Sequence, residues 1–383
     1  MRKYIRKFLE VFQRGDLILL ALCLLTTIVG VVIVSSVTAH HETPRYVTIQ
    51  LIAAALGVLL FVLISAIDLD LIMEYRLFLV IFNCVFLMLL IPFGVDYNSG
   101  NRSWLDLPFL PVDIQVAEIL KTTYILIMAS VMAAHQNRLS KLSSVMHMCF
   151  HLLLLVGLNM VLSEDAGVSL IFVFIFVGMT FAGGVNKGWF LLALSGIAVG
   201  FPILWTMLRP HQRARIEVLF NPDIDPTATG IRWHTNQGML SLSSGGLMGQ
   251  GLFNGRRTQD GALKAQHTDY IFSAIGEELG FIGCMVILLL EFAIIARIIY
   301  VGIKSPDFAR RVVCFGAASA LIFQVISNVG MNLSLTPVIG LTLPFISYGG
   351  SSLLSLYAML GLVSGVFARP APGKQGMYVQ PPR

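Results

Sequence analysis

The amino-acid sequence predicts an all-α, polytopic membrane protein. It reads as about ten transmembrane helices, with a large extracytoplasmic loop between the seventh and the eighth. Three observations carry this. Of 383 residues, 56% are hydrophobic and 12% charged, against roughly 25% charged in a soluble domain. Apolar windows of about 20 residues, the length that crosses a bilayer, recur along the chain. Lysine and arginine also gather on alternate connections between those windows.

The windows fall at 16–37, 47–66, 77–95, 116–134, 147–163, 168–184, 189–208, 278–300, 312–333 and 342–368. The basic start (Arg2, Lys3, Arg6, Lys7, Arg14) runs straight into the first, without a small-residue cleavage site, and reads as an uncleaved span. Glu164-Asp165-Ala166-Gly167 alone separates the fifth and sixth, which predicts a tight helical hairpin. With the N-terminus inside, sixteen lysines and arginines lie on the cytoplasmic side, among them Arg76, Arg138, Lys141, Lys187, Arg310 and Arg369. Only Arg45 and Arg102 occupy the short outer loops. This bias sets the orientation, and an even span count places both termini in the cytoplasm. Residues 1–383 read as one integral membrane domain, with a Pro/Gly-rich, disordered tail at 370–383.

The segment 209–277 is the exception to short connections. It carries Pro222-Asp223 and Asp225-Pro226 turns, then glycines at 245, 246, 249, 251 and 255, and aromatic or apolar anchors such as Phe220, Trp233 and Phe253. Long loops in compact proteins are functional or disordered; the anchors favour a folded lid or re-entrant element. With no soluble catalytic domain, any chemistry must use the spans and their outer loops. The five cysteines lie in or beside apolar runs without a CxxC pair and read as small buried hydrophobes. The eight histidines are scattered, with no HExxH, so a zinc site is disfavoured. No P-loop or GxSxG occurs, which gives ATP-driven transport and serine hydrolysis no support. The net charge of +5 suits a neighbour of anionic lipid and does not call for nucleic acid.

Three places concentrate polar chemistry. The first is Gln266-His267-Thr268-Asp269-Tyr270 with Glu277-Glu278, where the large loop re-enters the membrane. Asp269 there is either a helix cap or a working carboxylate, acting as general base or divalent-cation ligand. The second is Glu118 and Lys121, three apart on one helix face inside a span; they form either a packing ion pair or a cationic site for a pyrophosphate group. Asp165, in the hairpin, is either an N-cap or a third acidic group. Glu291, deep in a span, receives no function. The last is Pro337-Val338-Ile339-Gly340 through Pro344 to Ser347-Tyr348-Gly349-Gly350-Ser351-Ser352. Its prolines and glycines interrupt an apolar segment, and lipid tolerates such backbone only where protein or a cavity covers it.

These stretches, in order, resemble the SEDS family (shape, elongation, division and sporulation proteins) of bacterial cell-wall polymerases. Gly100 to Leu105 is similar to its Gly-x-Arg-x-Trp outer-loop motif, and Glu118 with Lys121 to its Ser-Glu-x-x-Lys element. Asp165 and Gly167 resemble its Pro-Asp-x-Gly hairpin. Gln237, Ser244-Gly245-Gly246, Gly249 and Gly251 resemble its loop motif, and His267-Thr268-Asp269 with Glu277-Glu278 and Gly280-Phe281 its acidic motif. The stretch from Pro337 to Ser352 resembles the terminal signature. The chain departs from the family's usual residues at Val116-Ala117, Ser163-Glu164 and Val168, which leaves the charged positions in place.

The resemblance implies a peptidoglycan glycosyltransferase in the bacterial plasma membrane. It would polymerise lipid II on the outer face beside a class B penicillin-binding protein, for elongation, division or sporulation. It implies Asp269 as the catalytic residue, with a divalent cation (Mg²⁺ or Mn²⁺) held there as a further expectation. It implies substrate contacts at Arg102, Glu118, Lys121, Asp165, Gln237, His267, Glu277, Glu278 and Ser347. A lipid II flippase and a non-catalytic scaffold that recruits a penicillin-binding protein are the alternatives; turnover of lipid II by the purified protein separates them.

Overall fold

The computed structural model describes residues 15–40, 44–96, 101–106, 113–208, 210–221, 224–225, 230, 232–263 and 265–369. The basic residues Arg2 to Arg14, Gly100, the Pro222-Asp223 and Pro226 turn positions and the tail beyond Arg369 lie outside them.

The chain opens with two apolar helices, α1 (Leu17–Val37) and α2 (Arg45–Ala66), followed by short α3 (Leu69–Glu74). The third apolar window is interrupted, as α4 (Arg76–Met88) and α5 (Leu90–Phe93). Next come three two-residue strands, β1 (Gly94–Val95), β2 (Trp104–Leu105) and β3 (Ile114–Gln115), antiparallel in the order β1-β2-β3. Then α6 (Val116–Ala134), α7 (Leu142–Leu162), α8 (Ala166–Ala182) and α9 (Lys187–Met207) cover the fourth to seventh windows. The large loop contains α10 (Pro210–Phe220), α11 (Trp233–Ser244) and α12 (Arg256–Gln259). Three helices close the chain: α13 (Ile271–Lys304), α14 (Phe308–Asn332) and α15 (Gly350–Ala368).

Among the described residues, eight segments are long and apolar enough to cross a membrane, and two shorter apolar helices, Ala166–Ala182 and Lys187–Ile203, occupy the sixth and seventh windows. Three details differ from the sequence reading. The miniature sheet is a β element that two-residue strands could not signal. α13 starts seven residues earlier than its apolar window, at Ile271 rather than 278. The last span starts at Gly350 rather than 342, because Pro344 and the Gly349-Gly350 pair oppose helix until the second glycine.

Carboxylate and amide caps start the helices where the sequence allows them. Asp16 accepts from the Leu19 amide at 3.0 Å, Asp165 from Val168 at 3.0 Å, and Asp307 from Arg310 at 2.8 Å. α6, α14 and α15 form the centre, and their apolar windows are two-thirds or more buried. α9 lies at the edge; none of its described side chains is buried. The two ends of the bundle differ. At one, Arg297 binds Asp16 at 2.9 Å and Arg310 binds Asp70 at 2.6 Å. At the other, Ser36 at the end of α1 donates to Glu278 at 2.5 Å, and the large loop, the sheet, the 163–166 hairpin and the 333–349 segment gather there.

α13 breaks at Gly280, which has φ 67° and ψ −166°, a region essentially closed to other residues. The break frees backbone groups, and the glycine-rich loop takes them up. Glu277 and Glu278 carbonyls accept the Gln250 and Gly251 amides, both at 2.9 Å; the Phe281 amide donates to Gly246 at 2.9 Å and that of Ile282 to Leu247 at 3.2 Å. A Cβ at position 280 would lie 2.4 Å from the Gly249 nitrogen and 2.5 Å from the Leu247 oxygen. Gly280→Ala is therefore expected to cost more than the ~1–3 kcal/mol of a strained backbone position. Its expected signature is a lower unfolding temperature in detergent and faster proteolysis within 245–260; parent-like values for both would contradict this docking.

Candidate active site

Asp269 ends a short irregular stretch that enters α13, and its backbone is held from two sides. The His267 carbonyl accepts the Tyr348 amide at 2.8 Å, and the Thr268 carbonyl accepts Ser347 Oγ at 2.7 Å. The Asp269 carbonyl accepts two amides from α14, Asn328 Nδ2 at 2.9 Å and Asn332 Nδ2 at 3.0 Å. Asn332 Oδ1 in turn takes the Ser273 amide at 3.0 Å and its hydroxyl at 2.6 Å. Both asparagines are fully buried. Gln50 fixes the other side of this clamp, donating to the Ser347 carbonyl at 3.1 Å and accepting the Gly349 amide at 3.2 Å. The irregular backbone of 265–270 and 341–349 thus meets its partners within the protein, as a membrane-embedded segment must.

The Asp269 side chain lies on the wall of a cavity of about 600 Å³. Arg215 of α10, Arg232 before α11, and His234 and Tyr270 share that wall, and the 334–338 segment closes it. Arg215 Nη1 donates to the Val338 carbonyl at 3.2 Å, which ties the lid to the terminal segment. Burial raises the Asp269 carboxyl to about pKa 6, and the charge of Asp165 adds to the rise. Asp165 is the N-cap of α8, and its second oxygen accepts Ser103 Oγ at 2.8 Å. The hairpin also meets the terminal segment: a Cβ at Gly167 would lie 2.8 Å from the Ile339 carbonyl, and one at Gly340 would lie 3.6 Å from Asp269 Oδ2.

The other sequence-derived positions divide into three groups. Glu277 and Glu278 are buried anchors of the lid. Glu277 accepts the Arg257 amide at 2.7 Å and Thr258 Oγ1 at 2.9 Å, while Glu278 accepts Ser36 Oγ at 2.5 Å and Gln259 Nε2 at 3.0 Å. Gln237 accepts from the Arg257 guanidinium, within the same lid. His267 and Ser347 belong to the clamp around Asp269. Arg102 is exposed beside the hairpin, its amide donating to the Ser163 carbonyl at 3.0 Å. Lys121 and Glu118 stand apart from the cavity wall. They pair at 2.9 Å with side chains 1% and 4% exposed, and Glu118 Oε2 has no hydrogen-bond partner. Ser355 of α15 donates to the Glu118 carbonyl, so the pair sits at the α6–α15 contact.

The sequence reading passed over Arg215, Arg232, Asn328, Asn332 and Gln50. A signal existed for each set. Seven basic residues lie in the 209–277 loop (Arg209, Arg213, Arg215, Arg232, Arg256, Arg257, Lys264), an unusual concentration in a chain with 26 lysines and arginines. Asn328 and Asn332 are polar groups one helical turn apart inside an apolar span, where such groups mark a partner or a site.

Among the described residues no group of three His, Cys, Asp or Glu side chains is placed to hold a metal ion. Asp269 fits a divalent cation only as one carboxylate of a shell completed by water and substrate phosphate, which is a common arrangement for Mg²⁺.

Fold and site together define an integral membrane protein in which a clamped carboxylate and two lid arginines face one cavity at the bundle's end. The family model FTSW_RODA_SPOVE, described as "Cell cycle protein", matches residues 16–369, and the chain belongs to this family. It is 32% identical over 371 residues to a protein of Trichlorobacter lovleyi named "Probable peptidoglycan glycosyltransferase FtsW", covering 94% of this chain and 96% of that one. It is 31% identical over 290 residues to "Peptidoglycan glycosyltransferase MrdB" of Escherichia coli K12, covering 74% and 75%. Among solved structures it resembles a chain described under "Structural coordination of polymerization and crosslinking by a peptidoglycan synthase complex". That match has a TM-score of 0.78 and 28% identity over 92% of this chain and 97% of that one. It also resembles Thermus thermophilus rod shape determining protein RodA, with a TM-score of 0.69 and 25% identity over 94% and 98%.

The buried pair yields a test. Removing one partner of a buried ion pair costs about 3–5 kcal/mol, whereas replacing both by apolar groups is often neutral. Lys121→Ala should therefore lower the unfolding temperature sharply, and Lys121→Met combined with Glu118→Leu should restore it. A Lys121→Ala protein of parent stability that has lost turnover would instead assign Lys121 to the substrate diphosphate.

Proposed function

We propose that this protein polymerises lipid II, the undecaprenyl diphosphate-linked disaccharide-pentapeptide, into glycan strands at the outer face of the bacterial plasma membrane. The observation that carries the chemistry is the placement of Asp269, backbone-clamped on a cavity wall shared with Arg215 and Arg232. Bond formation needs a base for an acceptor hydroxyl and positive charge for a departing diphosphate. The Asp269 carboxylate takes the proton of the acceptor sugar's 4-hydroxyl as that oxygen attacks the anomeric carbon of the donor. The bond from that carbon to the diphosphate oxygen breaks, its electron pair leaves with undecaprenyl diphosphate, and a β-1,4 linkage replaces the α-linked diphosphate. Arg215 and Arg232 neutralise the leaving group. A divalent cation held by Asp269 and the phosphates would supply further positive charge.

The lid tethered by Glu277 and Glu278 closes this space toward the outside, and the exposed sides of the helices accommodate the polyprenyl tail in lipid. Both termini then lie in the cytoplasm, a placement that the lysine and arginine distribution supports. A class B penicillin-binding protein is the partner, cross-linking strands as they emerge; the similarity to a chain of a peptidoglycan synthase complex supports this pairing.

The base must be ionised, so turnover should rise with pH through about 6, the range to which burial pushes Asp269. Asp165→Asn keeps a capping oxygen but removes the neighbouring charge, and should move that acid limb to lower pH. Asp269→Asn should lower lipid II polymerisation by roughly 10²–10⁴-fold. Its stability above pH 6 should equal or exceed the parent's, because a carboxyl raised in the folded state destabilises the fold once ionised. Lipid II turnover and unfolding temperature across pH, with the partner's own glycosyltransferase activity absent, measure all three. Turnover by Asp269→Asn within a few-fold of the parent would contradict the assignment and favour a transporter or scaffold.

A further inference from the structure

The stretch that carries Asp269 has two faces, and only one of them borders the arginine cavity. On the other, the His267 ring packs against Tyr46, at the start of α2, and Tyr348. The centroid separations are 4.9 Å for Tyr46–His267, 5.0 Å for Tyr46–Tyr348 and 5.7 Å for His267–Tyr348. The rings are tilted or edge-on to one another by 56° to 78°, so they form a corner rather than a stack. All three remain partly exposed, although the residues between and beneath them, Ser347 and Gln50, are buried. The corner is rigid. The Tyr348 amide binds the His267 carbonyl at 2.8 Å. Gln50, one helical turn below Tyr46, holds Ser347 and Gly349. Arg45 and Asp113 lie within electrostatic reach of the Tyr348 hydroxyl, which gives the corner a charged rim.

Polymerisation requires two saccharides to meet at one base. The cavity with Arg215 and Arg232 has the charge for the unit that loses diphosphate. The unit that supplies the hydroxyl needs no such charge; it needs a surface for the C–H face of a pyranose ring and polar groups for its hydroxyl and acetamide edges. An aromatic corner with a polar rim supplies both. We propose that Tyr46, His267 and Tyr348 form the subsite for the acceptor saccharide, seating an N-acetylated sugar two residues along the chain from Asp269. This inference rests on the polymerase reading above and adds to it the site of the second substrate. It also accounts for the carbonyls of His267, Thr268 and Asp269 each being clamped, since the base and the platform then hold a fixed relative position.

The test uses Tyr46, which lies outside the clamp. Tyr46→Phe keeps the ring face and should bind saccharide more tightly than Tyr46→Leu. Tyr46→Leu keeps apolar bulk but loses the ring face. It should raise the KM for lipid II by about tenfold, the equivalent of one aromatic contact, and shift products to shorter strands, with kcat and unfolding temperature little changed. Parent-like KM and strand lengths in Tyr46→Leu would overturn the proposal, as would a loss confined to kcat. A binding arm needs no turnover. Asp269→Asn protein is titrated calorimetrically with a soluble tetrasaccharide of alternating N-acetylglucosamine and N-acetylmuramic acid, free of lipid and diphosphate. Binding that disappears in Asp269→Asn/Tyr46→Leu supports the subsite even if the parent fails to polymerise lipid II, a failure that would count against the polymerase reading alone. No saccharide binding to Asp269→Asn, or binding unchanged by Tyr46→Leu, would overturn the subsite.

Discussion

The carbonyls of His267, Thr268 and Asp269, three in a row, each find a donor more than 50 residues further along the chain: the Tyr348 amide, the Ser347 hydroxyl and the paired amides of Asn328 and Asn332. The rest of the site depends on this. Non-helical backbone at the edge of lipid costs several kcal/mol for each polar group left without a partner, so the segment is stable only where those donors are present. Meeting that demand fixes the Asp269 carboxylate that faces the cavity and places the terminal Pro/Gly segment against it. It also explains the order of helix and irregular chain at the end of the molecule. α14 must run far enough to present Asn328 and Asn332, and α15 must wait until Gly350 so that Ser347 and Tyr348 remain free to donate.

A second constraint closes the site from above. The break at Gly280 opens the hydrogen bonding of α13, and the loop from Gly246 to Gly251 completes it from outside the helix. Just before the break, Glu277 and Glu278 accept from α12 and from the end of α1. Charge-assisted bonds of this kind are among the stronger ones, and burying both acids without those donors would be prohibitive. The same loop carries Arg215 and Arg232 onto the cavity wall beside Asp269. The role of Glu277 and Glu278 in this structure is to anchor the loop.

Much of this was legible in the sequence, and the parts that were not share a cause. Apolar windows marked the spans because lipid demands them, and Asp269, Asp165 and Glu277-Glu278 stood out because carboxylates are rare in such a chain. The two roles left open for Asp165 resolve toward capping, with its charge still felt at Asp269. The Glu118–Lys121 pair was recognisable from its spacing, but its depth at the α6–α15 contact depends on Ser355, over 230 residues away, and no local pattern reveals that. Arg215 and Arg232 were hidden because an arginine in a polar loop is unremarkable until the loop folds over a cavity. The start of α15 was misplaced because hydropathy cannot distinguish an apolar helix from an apolar segment whose backbone is held by side chains elsewhere.

The central claim is that the two asparagines of α14 hold Asp269, the proposed catalytic carboxylate, in place. Each donates to the same Asp269 carbonyl, so either alone leaves that oxygen a partner, and removing both releases it. The most direct measurement is kcat for lipid II polymerisation by Asn328→Ala, by Asn332→Ala and by the double variant, with cooperative unfolding confirmed for each. The account predicts modest losses for the single variants and about a 10²-fold loss of kcat for the double, the scale expected when a reacting group shifts by about 1 Å. It also predicts that the double loss exceeds the product of the single ones, as coupled positions do. A cooperatively folded double variant that retained kcat within a few-fold of the parent would contradict it.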